Sequence, residues 1–332
     1  MNHSKRKYTI GIDIGGTKIL VALLNNDFKI VSEIKNKTKP EKGLDFFLKT
    51  IAEGVAYVLR DAHISLKDVL AAGAGCPGFI NPQSGVIATS PNIPFLKGVP
   101  LGRRIAERIG RPVTIANDVQ TGLYGEHQFG AAKGYRDVVG IFMGTGVGGA
   151  LILDNRLYRG AFGSAGEIGH MQVDPFGPLC GCGHRGCLEA FTGRLAISAE
   201  AAVAVARQKA PHLAQETGSD IRQIKSGALA RAIKAGDRSI EELLRQKARL
   251  IGSAMASLVH IINPEIIILG GGVVEALPGL IVREAEHAMR EQAIPAIARP
   301  VKVLASRLKD DSIVMGAAKR ALDEFGEKGK SA

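Results

Sequence analysis

Cys180, Cys182 and Cys187 gather three of the chain's four cysteines into the segment LCGCGHRGCLEA, residues 179–190. Thiols so close together form a disulfide, act as a reactive nucleophile, or wrap a metal. A nucleophile needs a positioned base, and the segment offers none. Gly181, Gly183 and Gly186 free the backbone to curl around an ion. Zinc in a closed structural site takes four ligands, and two histidines can complete the set: His170 upstream and His184 inside the loop. If His170 is the ligand, GEIGH is tied to the cysteine loop, and Glu167 and Glu189 are drawn to the same place. With Asn117 and Asp118 they would make a set of hydroxyl-binding groups suited to a sugar.

Asn117 and Asp118 close the apolar run PVTIAND, at the end of a strand, where open α/β sheets hold their ligands. A carboxylate there can take a proton from a substrate hydroxyl. The local sequence alone favours a plainer role, an Asx turn or helix cap.

Two glycine-rich turns supply the anion chemistry. In DIGGTK, Gly15 and Gly16 let backbone N–H groups approach a phosphate, Thr17 and Lys18 add a hydroxyl and an ammonium, and Asp13 can hold magnesium directly or through water. GTGVGG presents Gly144, Thr145 and Gly146 in the same way. Gly73-x-Gly75-x-x-Gly78 and Gly144-x-Gly146-x-x-Gly149 both match a dinucleotide fingerprint, which requires a helix directly after the glycines. Pro77 and the Asn81–Pro82 turn forbid one after the first, and ALILDN after the second reads as a strand. Gly329–Ser331 ends like a P-loop but lacks its first glycine.

The elements that must position these groups follow from pattern. YTIGIDIG, KILVALLN and FKIVSEIK read as strands. Leu44, Phe47, Leu48, Ile51, Val55 and Leu59 predict a helix over 43–62. Then come a buried strand DVLAAGAG, a short helix PLGRRIAERIG, PVTIAND running into a loop, and the strand pair VVGIFMG and GALILDN. After the cysteines the chain reads as mostly helical to about Ile262. PEIIILGGG, PVKVLAS and a last helix from Ile313 to Phe325 complete it. GIDIGGTKILVALLNN from Gly11 is echoed by GIFMGTGVGGALILDN from Gly140, which suits a duplicated fold rather than a repeat array.

The 332 residues allow one large or two medium domains, and the net charge of +11 raises nucleic acid or an anionic substrate as partner. The basic residues are scattered, and two of the densest groups, Lys5–Lys7 and Lys328–Lys330, are terminal, so nucleic-acid binding is not expected. No signal peptide or membrane span is read; four prolines interrupt the longest uncharged run, Ala71–Leu96. The expected compartment is the cytoplasm, where disulfides are disfavoured.

Taken in order, DIGGTK, PGFI with SPNIP, ANDV, GTGVGGALI, GEIGH, CGCGHRGCLEA and IIILGGGV resemble the ROK family of repressors and sugar kinases over nearly the whole chain. The resemblance implies an actin-like, RNase H-like fold: two α/β domains around a cleft, residues 1–117 with about 313–332 forming the smaller and 118–312 the larger, with the zinc loop. It implies ATP- and magnesium-dependent phosphorylation of a hexose 6-hydroxyl, glucose first, with N-acetylmannosamine, N-acetylglucosamine or fructose as alternatives. Asp118 would be the general base. Gly78, Asn92, Asn117, Glu167, His170 and Glu189 would contact the sugar. DIGGTK and GTGVGG would hold the phosphates, with Gly271 and Gly272 near the adenosine. His170, Cys180, Cys182 and Cys187 would bind a structural zinc, which selects His170 over His184. A homodimer, or dimers paired into a tetramer, would be the assembly. Family repressors carry a DNA-binding domain ahead of the first glycine turn, for which about a dozen residues are too few. Two stretches depart from the family pattern: NDVQTGLYGE replaces a run of small residues, and IPFLKG stands where LPGW is common. Both border the expected sugar pocket.

Overall fold

A computed structural model describes residues 8–90 and 92–326. The terminal basic groups, Pro91 and Gly329–Ser331 lie outside the described residues. Two compact units are present, each built on a five-stranded sheet.

The first unit comprises the described residues through Gly134, the segment Arg159–Ala165, and the chain from Asp310. Strands β1 (Tyr8–Ile14), β2 (Lys18–Asn25), β3 (Ile30–Lys37), β4 (Val69–Cys76) and β7 (Val113–Asn117) lie in the order β3-β2-β1-β4-β7, and the hairpin β5 (Phe79–Ile80) and β6 (Ile87–Thr89) follows β4. The first three strands are antiparallel, and β4 and β7 run parallel to β1. β1, β2 and β4 are near-continuous apolar runs because both sheet faces are covered; β3, at the edge, alternates. Helix Gly43–Asp61 buries Phe47, Leu48, Ile51, Val55 and Val58 at helical spacing on one face. Helix Asp311–Phe325, starting two residues before the predicted position, lies on the other. Its approach explains a pair of glycines. Gly11 and Gly73 sit side by side on β1 and β4, and a Cβ at either would stand 2.0 Å or 1.9 Å from the carbonyl oxygens of Val314 or Ala317.

The second unit holds Tyr135–Tyr158 and Gly166–Lys309. Strands β8 (Val138–Met143), β9 (Val147–Leu153), β10 (Arg156–Tyr158), β11 (Ile266–Gly270) and β12 (Lys302–Ala305) lie in the order β10-β9-β8-β11-β12. Again three strands are antiparallel, and two more run parallel to the first of them. The echo between Gly11 and Gly140 is thus a true duplication of sheet topology. Helices cover this sheet: Arg194–Ala206, Ser226–Ala235 and Arg238–Ile262 fall in the stretch read as helical to Ile262, and Pro278–Gln292 follows β11.

Two details differ from the sequence reading. β7 runs straight into helix Asp118–Phe129 without a loop, because Asn117 caps that helix. That helix and the segment Arg159–Ala165 belong to the first unit, so its boundary falls at Gly134 rather than after residue 117, and its C-terminal part begins at Asp310 rather than about 313. Both dinucleotide look-alikes are followed by strands, β5 and β9, with no helix for a pyrophosphate. No helix among the described residues is long and apolar enough to cross a membrane.

Candidate functional site

In the first unit, the parallel strands β1, β4 and β7 bring their carboxyl ends together: Asp13 is in register with Gly75, and Cys76 with Asn117. Asn117 Oδ1 accepts the N–H of Gln120 at 3.1 Å, the N-cap bond that the local sequence favours. Its Nδ2 donates to the Gly78 carbonyl at 3.3 Å, tying the strand end to the β4–β5 turn. The next residue, Asp118, accepts the N–H of Val119 with Oδ1 at 2.9 Å. The cap and the carboxylate are therefore two adjacent residues with separate tasks.

Burial dominates the electrostatics here. It raises Asp118 from 3.8 to about 6, with the Val119 N–H opposing. Burial raises Asp13 further, to about 7, with the negative charge of Asp118 adding to it and Lys18 opposing. The Cys76 thiol is held up by burial and then by these two carboxylates, which shows three acidic groups crowded at the strand ends. Such a cluster favours a cation or a proton-accepting role. In the turn after Asp13, Gly15 N–H bonds the Lys18 carbonyl at 2.8 Å, and Thr38 Oγ1 donates to the Gly15 carbonyl at 2.6 Å. Thr17 is exposed. Gly16 lies against Asn92, whose Cβ would be 3.2 Å from a Cβ at Gly16, so the glycine turn and Asn92 are neighbours. Lys18 Nζ pairs with Asp310 at 2.9 Å.

In the second unit, the turn at Gly144, Thr145 and Gly146 joins β8 to β9 and abuts the start of helix Arg194–Ala206: Arg194 N–H bonds the Gly144 carbonyl at 3.1 Å. Glu189 Oε2 accepts the N–H of Val147 at 2.9 Å. A Cβ at Gly146 would sit 2.0 Å from that oxygen, so Gly146 is glycine to admit Glu189. Gly271, after β11, backs onto the Met143 backbone at the end of β8, and Gly272 opens a short helix; Gly271, Gly272 and the Gly144 turn are thus brought together. Glu167 is exposed, and its carbonyl accepts the His170 N–H at 3.0 Å.

The cysteine question has a geometric answer. The ligand atoms of His170, Cys180, Cys182 and Cys187 all lie within 4.8 Å of one another. Cys182 and Cys187 sulfurs are 3.6 Å apart, and Cys180 Sγ is 3.7 Å from His170 Nδ1. Sulfurs bound tetrahedrally at about 2.3 Å to zinc stand about 3.8 Å apart. The donor set and its spacing fit that ion without rearrangement. His184 Nδ1 lies 3.7 Å from Cys182 alone and is outside the four-atom group. Cys180 also donates to Glu189 Oε1 at 3.5 Å, so Glu189 links the cysteine loop to the glycine turn.

Two neighbours escaped the sequence reading. Asp310 is 292 residues from Lys18, and no local pattern joins them. Ser90, two residues before Asn92, has a buried hydroxyl with no partner. The quoted motif SPNIP was the only available signal for it.

The ROK family matches this chain over residues 9–324. The chain belongs to the ROK family. A glucokinase of Thermotoga maritima is 32% identical over 317 residues, covering 96% of this chain and 98% of the relative. The crystal structure of a ROK family glucokinase from Streptomyces griseus, in complex with glucose and AMPPNP, matches with a TM-score of 0.83 at 32% identity, covering 94% of this chain and 98% of that one. A xylose repressor of Caldicellulosiruptor bescii is 28% identical over 95% of this chain and 78% of its own.

Proposed function

We propose that this ROK sugar kinase transfers the γ-phosphoryl group of ATP to the 6-hydroxyl of a hexose, and that the hexose is glucose. The observation that carries the chemistry is Asp118: a carboxylate on a helix start, one oxygen fixed by the Val119 N–H, with a pKa of about 6. At neutral pH it is ionised and still basic enough to take a hydroxyl proton as the oxygen attacks. Most of the remaining barrier in such a transfer is positioning and charge neutralisation.

Around Asp118, Asn117, Gly78 and Asn92 are assigned to the sugar, and the motif match assigns Glu167, His170 and Glu189 to it as well. His170 turns Nδ1 toward Cys180, which leaves Nε2 for a sugar hydroxyl. Asp13 would hold magnesium, which supplies charge neutralisation at the phosphates when bound. Gly15, Gly16, Thr17, Lys18, Gly144, Thr145 and Gly146 are assigned to the phosphates, and Gly271 and Gly272 to the adenosine. His170, Cys180, Cys182 and Cys187 would hold a structural zinc. Held there, zinc would take Cys180 as a thiolate, so Glu189 Oε1 would lose the S–H donor it has now and be open to a sugar hydroxyl. Glucose is preferred because the glucokinase relatives match nearly end to end at 32% identity. The assembly is taken as a homodimer.

ADP release should be measured with ATP and magnesium across glucose, mannose, fructose, N-acetylglucosamine, N-acetylmannosamine and allose. Glucose should give the highest kcat/KM. A different single responder transfers the assignment to that sugar; silence across the panel from folded, zinc-loaded protein refutes the kinase reading. Cys182→Ser should cost about one zinc per chain. A metal-free wild-type protein with full activity would defeat the zinc assignment.

A further inference from the structure

A cavity of about 350 Å³ opens within the first unit, along the free edge of β7. Its walls are the β5–β6 hairpin, the β7 backbone, the segment Arg159–Ala165 and the end of helix Asp311–Phe325. Of the groups assigned to the reaction it shares only Asn117, whose amide is already bonded to Gln120 and Gly78; Asp118, Gly78 and Asn92 do not line it. Its size is at the small end of the ~300–1,000 Å³ typical of ligand pockets.

The lining is cationic. Arg103, Arg159 and Arg320 face it, against one carboxylate, Glu324. Neither Arg159 nor Arg320 makes an ion pair among the described residues, whereas Arg103 has Glu107 at 3.9 Å. The other carboxylate near Arg320, Asp323, is already taken: Tyr124 donates to it at 2.6 Å, and Lys319 pairs with it. Burial, and after it the like charge of Arg159, lower Arg320 to about 10 against the pull of Glu324. Two guanidiniums that share one carboxylate leave a net positive charge in this wall, and an anion between them would offset their repulsion.

The rest of the wall reads hydroxyls. Asn81 Oδ1 accepts the N–H groups of Gln83 and Ser84 at 3.0 Å and 2.9 Å, which fixes the hairpin turn and leaves the Asn81 NH2 group to donate. Gln120 Nε2 donates to the Gly163 carbonyl at 3.1 Å and leaves its own amide oxygen as an acceptor. That bond, and the contact of Gly163 with Pro82, seat the segment that carries Arg159.

We propose that this cavity binds a phosphomonoester of a small polyol, with Arg159 and Arg320 on the phosphate and the amides of Asn81, Gln83 and Gln120 on the hydroxyls. Guanidiniums bind phosphate through paired N–H groups, and although Ile80, Pro82, Val113, Ile115 and Ala116 also line the cavity, its exposed surface is mostly polar and offers little to a hydrocarbon ligand. The proposal concerns binding alone and stands apart from the kinase reading.

The product of the proposed kinase belongs to the same ligand class, so the test must separate this cavity from the reaction site. Calorimetric titrations with glucose 6-phosphate, glycerol 3-phosphate and inorganic phosphate should be run at low salt on wild type, Arg159→Met and Arg320→Met. A sugar phosphate should bind the wild type, and each substitution should weaken that binding by about tenfold or more. Added salt should weaken it too. Steady-state kcat and KM of Arg159→Met should match wild type. Arg159 is exposed, so that variant remains a valid test if Arg320→Met fails to fold. Superimposable titrations of wild type and Arg159→Met, or no binding of any of the three compounds, would overturn the proposal. Inorganic phosphate binding as tightly as the sugar phosphate would overturn its polyol half.

Discussion

The hairpins that open the two sheets share a topology, differ by one residue in length, and carry different chemistry. Counting from Gly11 in one and Gly140 in the other, both cross to their partner strand at an alanine, Ala22 and Ala150. Two steps on, the first has Asp13 and the second Phe142; at the turn, the first has Thr17 and the second Gly146. The first hairpin therefore buries a carboxylate whose pKa burial raises to about 7, with Asp118 adding to it. The second has a half-buried aromatic ring there and takes its carboxylate from Glu189, far along the chain, through the Val147 N–H. Duplication supplied one scaffold twice, and the charge was then placed on the strand in one copy and brought in from outside in the other. The first copy is the one beside Asp118, where the proposed reaction would place its cation and its proton acceptor.

The largest expected effect tests which copy carries the reaction. Asp118→Asn keeps the shape and the N–H contact but removes the base. Turnover should fall by about 10²–10⁴-fold, while sugar affinity measured by calorimetry stays within about threefold. Wild-type kcat/KM should fall about tenfold per pH unit below pH 6, as Asp118 takes up its proton. Wild-type turnover in the variant would remove Asp118 as base and with it the functional asymmetry of the two hairpins.

Gly146→Ala should be next, and it acts on the second hairpin. The new Cβ falls 2.0 Å from Glu189 Oε2, an oxygen held by the Val147 N–H. Displacing it strands that N–H, for a cost of about 2–3 kcal/mol. Two residues earlier, a Cβ at Gly144 meets nothing within 4 Å, so Gly144→Ala should stay within about 0.5 kcal/mol of wild type. Denaturant midpoints of the two variants read the difference directly. Equal midpoints would mean that Glu189 does not shape this turn.

What the sequence made legible, and what it did not, divides along the same line. The strands, both glycine turns and the Gly11–Gly140 echo were readable because period, turn chemistry and repetition are local. The cysteine cluster was readable because three ligands fall within one loop. The partners that distinguish the hairpins were not: Glu189 reaches Gly146 across 43 positions and Asp310 reaches Lys18 across 292, and neither pairing leaves a periodic trace. The arginines of the cavity beside β7 are likewise assembled from three separated segments. The continuous β7-to-helix passage was missed for another reason: a polar Asn-Asp pair reads equally as loop and as cap, and only the Asn117–Gln120 bond decides it.

Asp13→Asn sharpens the comparison through stability rather than rate. Asp13 is 8% exposed. Its folded pKa of about 7 lies above the unfolded value of 3.8. The stability it contributes is therefore fully present below about pH 4 and is lost as the pH rises through 7. Without magnesium, Asp13→Asn should match wild type at pH 4 and exceed it at pH 8, by on the order of 2 kcal/mol. Magnesium should narrow the gap by binding the wild type alone. A pH-independent difference in Tm would show that the carboxylate is not strained by burial, and the first hairpin would then be no more charged in effect than the second.

The smallest effect comes from the ion pair outside the first turn. Asp310 meets Lys18 at 2.9 Å and Lys35 at 3.5 Å, and about half of each side chain is exposed. The hydrogen bond from Lys18 holds Asp310 below its usual range. Water and salt screen such pairs, so Asp310→Asn should cost less than about 1 kcal/mol at low salt and almost nothing at 1 M. Its effect on ATP should be more visible. Lys18 loses the carboxylate that competes with phosphate for its ammonium, so KM for ATP should fall while kcat holds. A rise in KM would mean instead that Asp310 aims Lys18 at the nucleotide, and that the first turn, like the second, depends on a carboxylate delivered from a distant part of the chain.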